Sequence, residues 1–120
     1  MYYPIKAQEI ALNNNQPFHI AAWFKSGAAL TFGVNSERCS KKFMRRYRDG
    51  TVRYHLHAEM DLLIKMGSQI ADEIYVIRFR KNGEISMAKP CKYCQKYLRR
   101  YGVKRVRYTN WEGQWERMTL

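Results

Sequence analysis

Two short segments, His57-Ala58-Glu59 and Pro90-Cys91-Lys92-Tyr93-Cys94, constrain this chain more than any other feature. Each stands at the start of a predicted helix, and each brings metal ligands or an acid–base group. Cys91 and Cys94, three apart on a helix, present both sulfurs to one point, and His57 supplies a third ligand. The fourth tetrahedral position stays open, which is the arrangement of a catalytic rather than a structural zinc site. A fold for this chain must therefore bring two helix N-termini together. Their positive partial charge favours thiolates. Glu59, two residues past His57, is placed to move protons.

The elements around these segments follow from hydrophobic pattern and turn chemistry. Ile5, Ala7, Ile10 and Ala11 share a helical face after Pro4, and Asn13-Asn14-Asn15 with Pro17 stops that helix. His19 to Lys25 and Ala28 to Asn35 are β-type runs joined across Ser26-Gly27 as a hairpin. Residues 36–55 are polar and basic and read as a long functional loop. Ala58 to Met66 reads as a mostly buried helix closed by Gly67. Ile74 to Phe79 is apolar enough for a central strand. Asn82-Gly83 turns the chain, and Pro90 opens a helix with Cys91, Cys94, Leu98 and Tyr101 on one stripe. Val103 to Tyr108 and Gln114 to Met118 then form a hairpin. The order is α-β-β-α-β-α-β-β, and at 120 residues it fills a single domain, 1–120.

Charge narrows the class of partner. Lys and Arg number 22 against 10 Asp and Glu, a net charge of +12. The sequence pI is near 9.9, which favours a polyanion or a phosphorylated substrate. Three cysteines, only two of them close in sequence, do not make a disulfide framework, and Cys39 reads as a free thiol. No apolar run approaches the ~20 residues of a membrane span, and the first residues lack the order of a signal peptide. A cytoplasmic location is the expectation.

The pairing H-x-E followed by P-C-x-x-C resembles the zinc-dependent cytidine deaminase superfamily, over nearly the whole chain. The resemblance implies a three-layer α/β/α fold with a mixed five-stranded sheet whose last two strands are antiparallel. It also implies that His57, Cys91 and Cys94 bind Zn2+. Glu59 would shuttle protons from the attacking water to the ring nitrogen and the leaving amine as cytosine becomes uracil. Gly33-Val34-Asn35-Ser36-Glu37 is similar to the G-x-N-x-E stretch of free-nucleoside deaminases, making Asn35 and Glu37 sugar-binding candidates, with Ala58 beside the base. Lys89 departs from the family pattern, standing before Pro90 where many relatives carry a small polar residue or Glu.

Two substrate classes follow. The final hairpin, without an intervening helix, resembles deaminases of a cytidine or deoxycytidine nucleoside or nucleotide. The alternative is a base in single-stranded DNA or RNA. In its favour, Arg45, Arg46, Arg48 and Arg53 are interleaved with Phe43, Tyr47 and Tyr54 as phosphate contacts beside stacking surfaces. Trp111, after the fourth of these strands, lies where polynucleotide deaminases read a flanking base. Adenine deamination and a non-catalytic nucleic-acid-binding zinc module are the remaining readings. Small relatives often assemble around neighbouring sites, so the resemblance also implies a homo-oligomer.

Overall fold

The structure, a computed structural model, describes residues 2–120. Helix α1 spans Ile5–Leu12 and is followed by β1 (His19–Ser26) and β2 (Ala29–Val34). The segment after β2 holds a 3-10 turn at Lys41–Phe43 and two short strands, β3 (Arg45–Arg46) and β4 (Val52–Arg53). Then come α2 (Ala58–Met66), β5 (Glu73–Phe79), β6 (Ile85–Ser86), α3 (Lys92–Arg100), β7 (Arg105–Thr109) and β8 (Trp115–Thr119).

The main sheet runs in the order β2-β1-β5-β7-β8. Only β5 and β7 are parallel; β1 pairs antiparallel with β2 and β5, and β8 pairs antiparallel with β7. The mixed five-stranded sheet with an antiparallel last pair is thus present. A short sixth strand, β6, is added where Phe79 and Arg78 pair with Ile85 and Ser86. Because parallel strands cannot be joined by a tight turn, the chain between β5 and β7 crosses over through α3. That crossover returns the N-terminus of α3 to the carboxyl end of β5, the edge where open α/β sheets place their sites.

Side-chain parity divides the sheet into two cores. Ala22, Phe24, Ile74, Val76 and Val106 face α2 and α3, packing with Leu62, Leu63, Met66 and Leu98. Ala21, Trp23, Phe32, Ile77 and Phe79 face α1 through Ala7 and Ala11. Those two alanines, four apart, let α1 lie close to the sheet. Ile5, expected on that face, is instead 74% exposed at the first turn. Ile64 likewise points outward from α2, while residues 58–63 are buried.

The region expected as a long loop is an ordered flap. Its β3 and β4 pair antiparallel around the turn at Asp49-Gly50, and Ser36 and Ser40 donate to the carbonyls of Leu56 and Tyr54. Phe43, 1% exposed, inserts between Tyr97 of α3 and Tyr101 just past its end. The Tyr97 hydroxyl donates to the Met44 carbonyl at 2.7 Å, and the Tyr93 hydroxyl donates to that of Arg46. Among the described residues no helix is long and apolar enough to cross a membrane.

Candidate functional site

Both helices that frame the site begin on a ligand-type residue. His57, extended at φ −77° and ψ 160°, is the cap of α2, and its carbonyl accepts from the Asp61 amide at 3.0 Å. Cys91 caps α3 in the same way, with its sulfur accepting from the Cys94 amide at 3.4 Å. Pro90 therefore sits just before the cap rather than inside the helix as expected. A sulfur in place of the usual Ser or Asp cap satisfies a free helix amide and keeps negative charge at the positive end of the dipole.

The three donors converge. His57 Nδ1 lies 3.3 Å from Cys94 Sγ and 3.7 Å from Cys91 Sγ, and all three atoms fall within 4.8 Å of one another. A tetrahedral zinc with bonds of ~2.0–2.1 Å to nitrogen and ~2.3 Å to sulfur sets such donors about 3.5–3.8 Å apart. The residues present fit that ion. Among the described residues no fourth His, Cys, Asp or Glu joins the group. Hydrogen bonding from Cys94 lowers the Cys91 thiol to about 4, against an opposing push from burial and with help from His57. The same bond and burial hold Cys94 far above its ordinary value, so without a cation the pair keeps one proton between two sulfurs.

Glu59 is 4% exposed and borders the same cavity as His57 and Cys91. Burial raises its carboxyl to about 7, partly countered by His57. A carboxyl balanced near neutrality can both accept and donate a proton. The cavity has a volume of about 370 Å³. Phe18, Leu56 and Met87 give it apolar walls, and His55, Arg78 and Lys89 bring nitrogen to its lining.

Of the sugar- and base-binding candidates, Asn35 borders this cavity. Its side chain also holds the protein together: Oδ1 accepts from the Ile20 amide at 3.1 Å and from Asn14 Nδ2 at 2.9 Å. Its Nδ2 donates to the Phe18 carbonyl at 2.9 Å, which leaves one amide proton for other use. Glu37 is exposed and does not line the cavity; it borders an adjoining depression that shares Gln16, Asn35 and Ser36 with it. Ala58 is fully buried beneath the first turn of α2. Trp111 is 60% exposed at the β7–β8 turn and does not line the cavity.

The flap arginines divide. Arg46, Arg48 and Arg53 are exposed, and none of them lines the cavity. Arg45 departs from the expected solvent-facing phosphate contact, being 0% exposed because β3 turns alternate side chains inward. Its Nη2 lies 3.3 Å from His55 Nδ1, and its Nε and Nη1 are buried without a hydrogen-bond partner among the described residues. Trp115 packs edge-on against Trp23 and Tyr75 on the α1 side of the sheet.

Sequence pattern alone does not mark two cavity cations, Arg78 and Lys89, as binding residues. Arg78 follows Ile74 and Val76 on the face of β5 that looks toward α2 and α3, and its guanidinium carbon lies 4.7 Å from the centre of the Phe18 ring. The signal was present in that every-other-residue series. It was masked because the opposite face, Tyr75, Ile77 and Phe79, is also apolar and leaves no visible alternation.

No family model and no curated protein matches this chain. Solved structures do resemble it. The apo dCMP deaminase of cyanophage S-TIM5 shares 24% identity over 88% of this chain and 78% of that one, with a TM-score of 0.56. The cytidine deaminase of Burkholderia pseudomallei shares 19% identity over 96% of this chain and 88% of that one, with a TM-score of 0.62. The chain has the α/β fold of these two proteins, and its own His57, Cys91 and Cys94 donors stand close enough together to hold a metal ion.

Proposed function

We propose that this chain, acting as one domain, is a zinc-dependent hydrolytic deaminase that converts cytosine to uracil in a cytidine or deoxycytidine nucleoside or nucleotide. One observation carries the reading: a buried carboxylate, Glu59, shares a cavity with His57 and Cys91 of an open three-donor cluster. A structural metal site would leave that carboxylate without a task. When bound, zinc supplies the acidity that brings water to a pKa of about 7 and so makes it a nucleophile at neutral pH.

The chain's own residues do the rest. His57, Cys91 and Cys94 hold the ion at the helix N-termini. Glu59 accepts the proton released as water adds to C4 of the ring and passes it to N3. It then serves the leaving amine, so that cytosine and water become uracil and ammonia. Phe18, Leu56 and Met87 provide an apolar slot that excludes bulk water from these transfers, and the free Nδ2 proton of Asn35 is available to a sugar hydroxyl. The structural resemblance to a cytidine deaminase and a dCMP deaminase supports this substrate class.

A second reading, deamination within single-stranded DNA or RNA, is favoured by Arg46, Arg48 and Arg53 standing exposed with Tyr47 and Tyr54 on one flap. Uracil formation from cytidine, deoxycytidine, their monophosphates and single-stranded oligonucleotides separates the two. Glu59→Ala is expected to retain zinc and fold while losing ~10²–10⁴-fold in rate. Turnover within a few-fold of wild type in that variant would dismiss Glu59 as the proton carrier.

A further inference from the structure

Arg78 and Lys89 line the catalytic cavity, and neither has a carboxylate within ion-pair distance among the described residues. Elsewhere five of the 22 cations have a carboxylate partner among the described residues, Arg80 with Glu84 being one. Arg105 and Arg107 share Glu73, Lys65 meets Asp61, and Lys104 meets Asp72. Glu59, the one carboxylate bordering the cavity, is buried beside the metal donors. The cavity therefore holds its acid–base group at the buried end, while its two cations lie where solvent has access.

Both cations sit on firm supports. Arg78 belongs to β5, paired on one side with Ile20 of β1 and on the other with Ser86 of β6, so its backbone is held from both edges. The Phe18 ring lies against its guanidinium and keeps it at the cavity. Lys89 follows Ala88, whose amide donates to the Thr109 carbonyl at 2.8 Å, and lies two residues before Cys91. A half-buried guanidinium on an open cavity, with no anion among the described residues, can recover from a bound counter-ion part of the solvation that burial costs. Its planar fork matches a phosphate by two parallel hydrogen bonds, and a neighbouring ammonium adds a point charge.

We infer that Arg78 and Lys89 form a receptor for the terminal phosphate of a mononucleotide, which makes a cytosine nucleoside monophosphate, rather than the free nucleoside, the preferred substrate. This rests on the deaminase reading given above and goes further by naming the phosphate-binding residues. A cavity of about 370 Å³ is in the size range of a single small-molecule ligand. Arg78 and Lys89 are the Lys and Arg side chains lining that cavity, and the exposed flap arginines are not part of it.

The test measures kcat/KM on deoxycytidine and cytidine and on their 5′- and 3′-monophosphates, together with nucleotide binding by calorimetry, for the zinc-loaded wild type, Arg78→Ala, Arg78→Lys and Lys89→Ala. Arg117→Ala, on the exposed edge of β8, removes the same charge away from the cavity and serves as control. The wild type should prefer a monophosphate over its nucleoside. Each alanine change should cut that preference by about 10- to 100-fold, the worth of a charge-assisted hydrogen bond. Arg78→Lys should recover part of the loss, and Arg117→Ala should leave the ratio intact. Equal turnover of nucleoside and monophosphate by the wild type, or an unchanged ratio in both alanine variants, would overturn the inference. So would oligonucleotides being the better substrate. If monophosphates bind in an Arg78-dependent way and no substrate yields uracil, the receptor stands and the deaminase reading falls.

Discussion

Gly33 offers the sharpest structural test because it is needed for space alone. Its φ is not in the left-handed region, so any residue can adopt its backbone conformation. It pairs with Ala22 of β1 and faces the first turns of α2. A Cβ built there would lie 2.4 Å from the Leu62 amide nitrogen, 2.5 Å from the Ala58 carbonyl oxygen and 2.8 Å from the Leu62 Cα. All three are main-chain atoms, so no rotamer change relieves the clash. Restoring contacts of about 3.5 Å requires α2 to retreat from β2 by roughly 1 Å. That motion strains the bond from the Val34 amide to the Asp61 carboxylate, now 2.9 Å, which ties the same two elements. Overpacking of this kind costs about 1–3 kcal/mol, and backbone contacts place it at the upper end. The lower chain entropy of alanine returns ~0.4–1 kcal/mol, so Gly33→Ala should destabilise by about 2 kcal/mol or more. With a urea slope of ~1–3 kcal/mol per molar, the midpoint should fall by roughly 1–2 M. Since α2 begins at the His57 cap and carries Glu59, a shift of about 1 Å also exceeds the ~0.5 Å tolerance of a reacting constellation. Turnover should drop about 100-fold even where the protein remains folded. An unchanged or raised midpoint with full activity would refute the reasoning.

Cys94→Ala should lose the metal and with it the stability that holds α2 against α3, read as zinc content together with a lower melting temperature. A folded, zinc-bearing and active variant would refute the ligand assignment. Asn35→Ala should destabilise the metal-free protein by ~1–3 kcal/mol in urea unfolding, because the Ile20 amide and the Phe18 carbonyl lose their partner. An effect confined to substrate binding would show the latch to be dispensable. Arg45→Met replaces a buried, incompletely bonded guanidinium with an apolar chain and should leave metal-free stability equal or higher. A loss of about 3 kcal/mol or more would mean that this group is fully satisfied.

The parts of the fold that were legible from the sequence are those whose local signals agree with their tertiary setting. Helix α2 ends at Gly67 as expected, because that residue takes φ +59° and ψ −121°, a conformation that glycine alone adopts readily. The convergence of His57, Cys91 and Cys94 was legible because metal-binding chemistry requires particular residue types at fixed spacing. Strand β6 was not, since two residues acquire strand geometry only by meeting the end of β5. Nor was the direction of Arg45. A basic stretch with interleaved aromatics has the same composition whether it is solvated or docked, and Phe43 decides the matter by finding a slot on α3. Asn35 shows a different limit, because a polar residue after a strand reads alike as a ligand contact and as a latch. Here it borders the cavity while bonding to three neighbours.

The tyrosines that dock the flap grip its carbonyl oxygens, at Met44 and Arg46, rather than any side chain. Every amino acid carries that acceptor. Mutation can therefore rewrite the outward residues of this hairpin, Arg46, Arg48 and Arg53 among them, without loosening its hold on α3, provided that Phe43 is kept. The flap is in this respect a replaceable tip on a permanent mount. Selection, or an experimenter with a randomised library, can explore what it touches while the His57-Cys91-Cys94 group and the Glu59 cavity stay as they are.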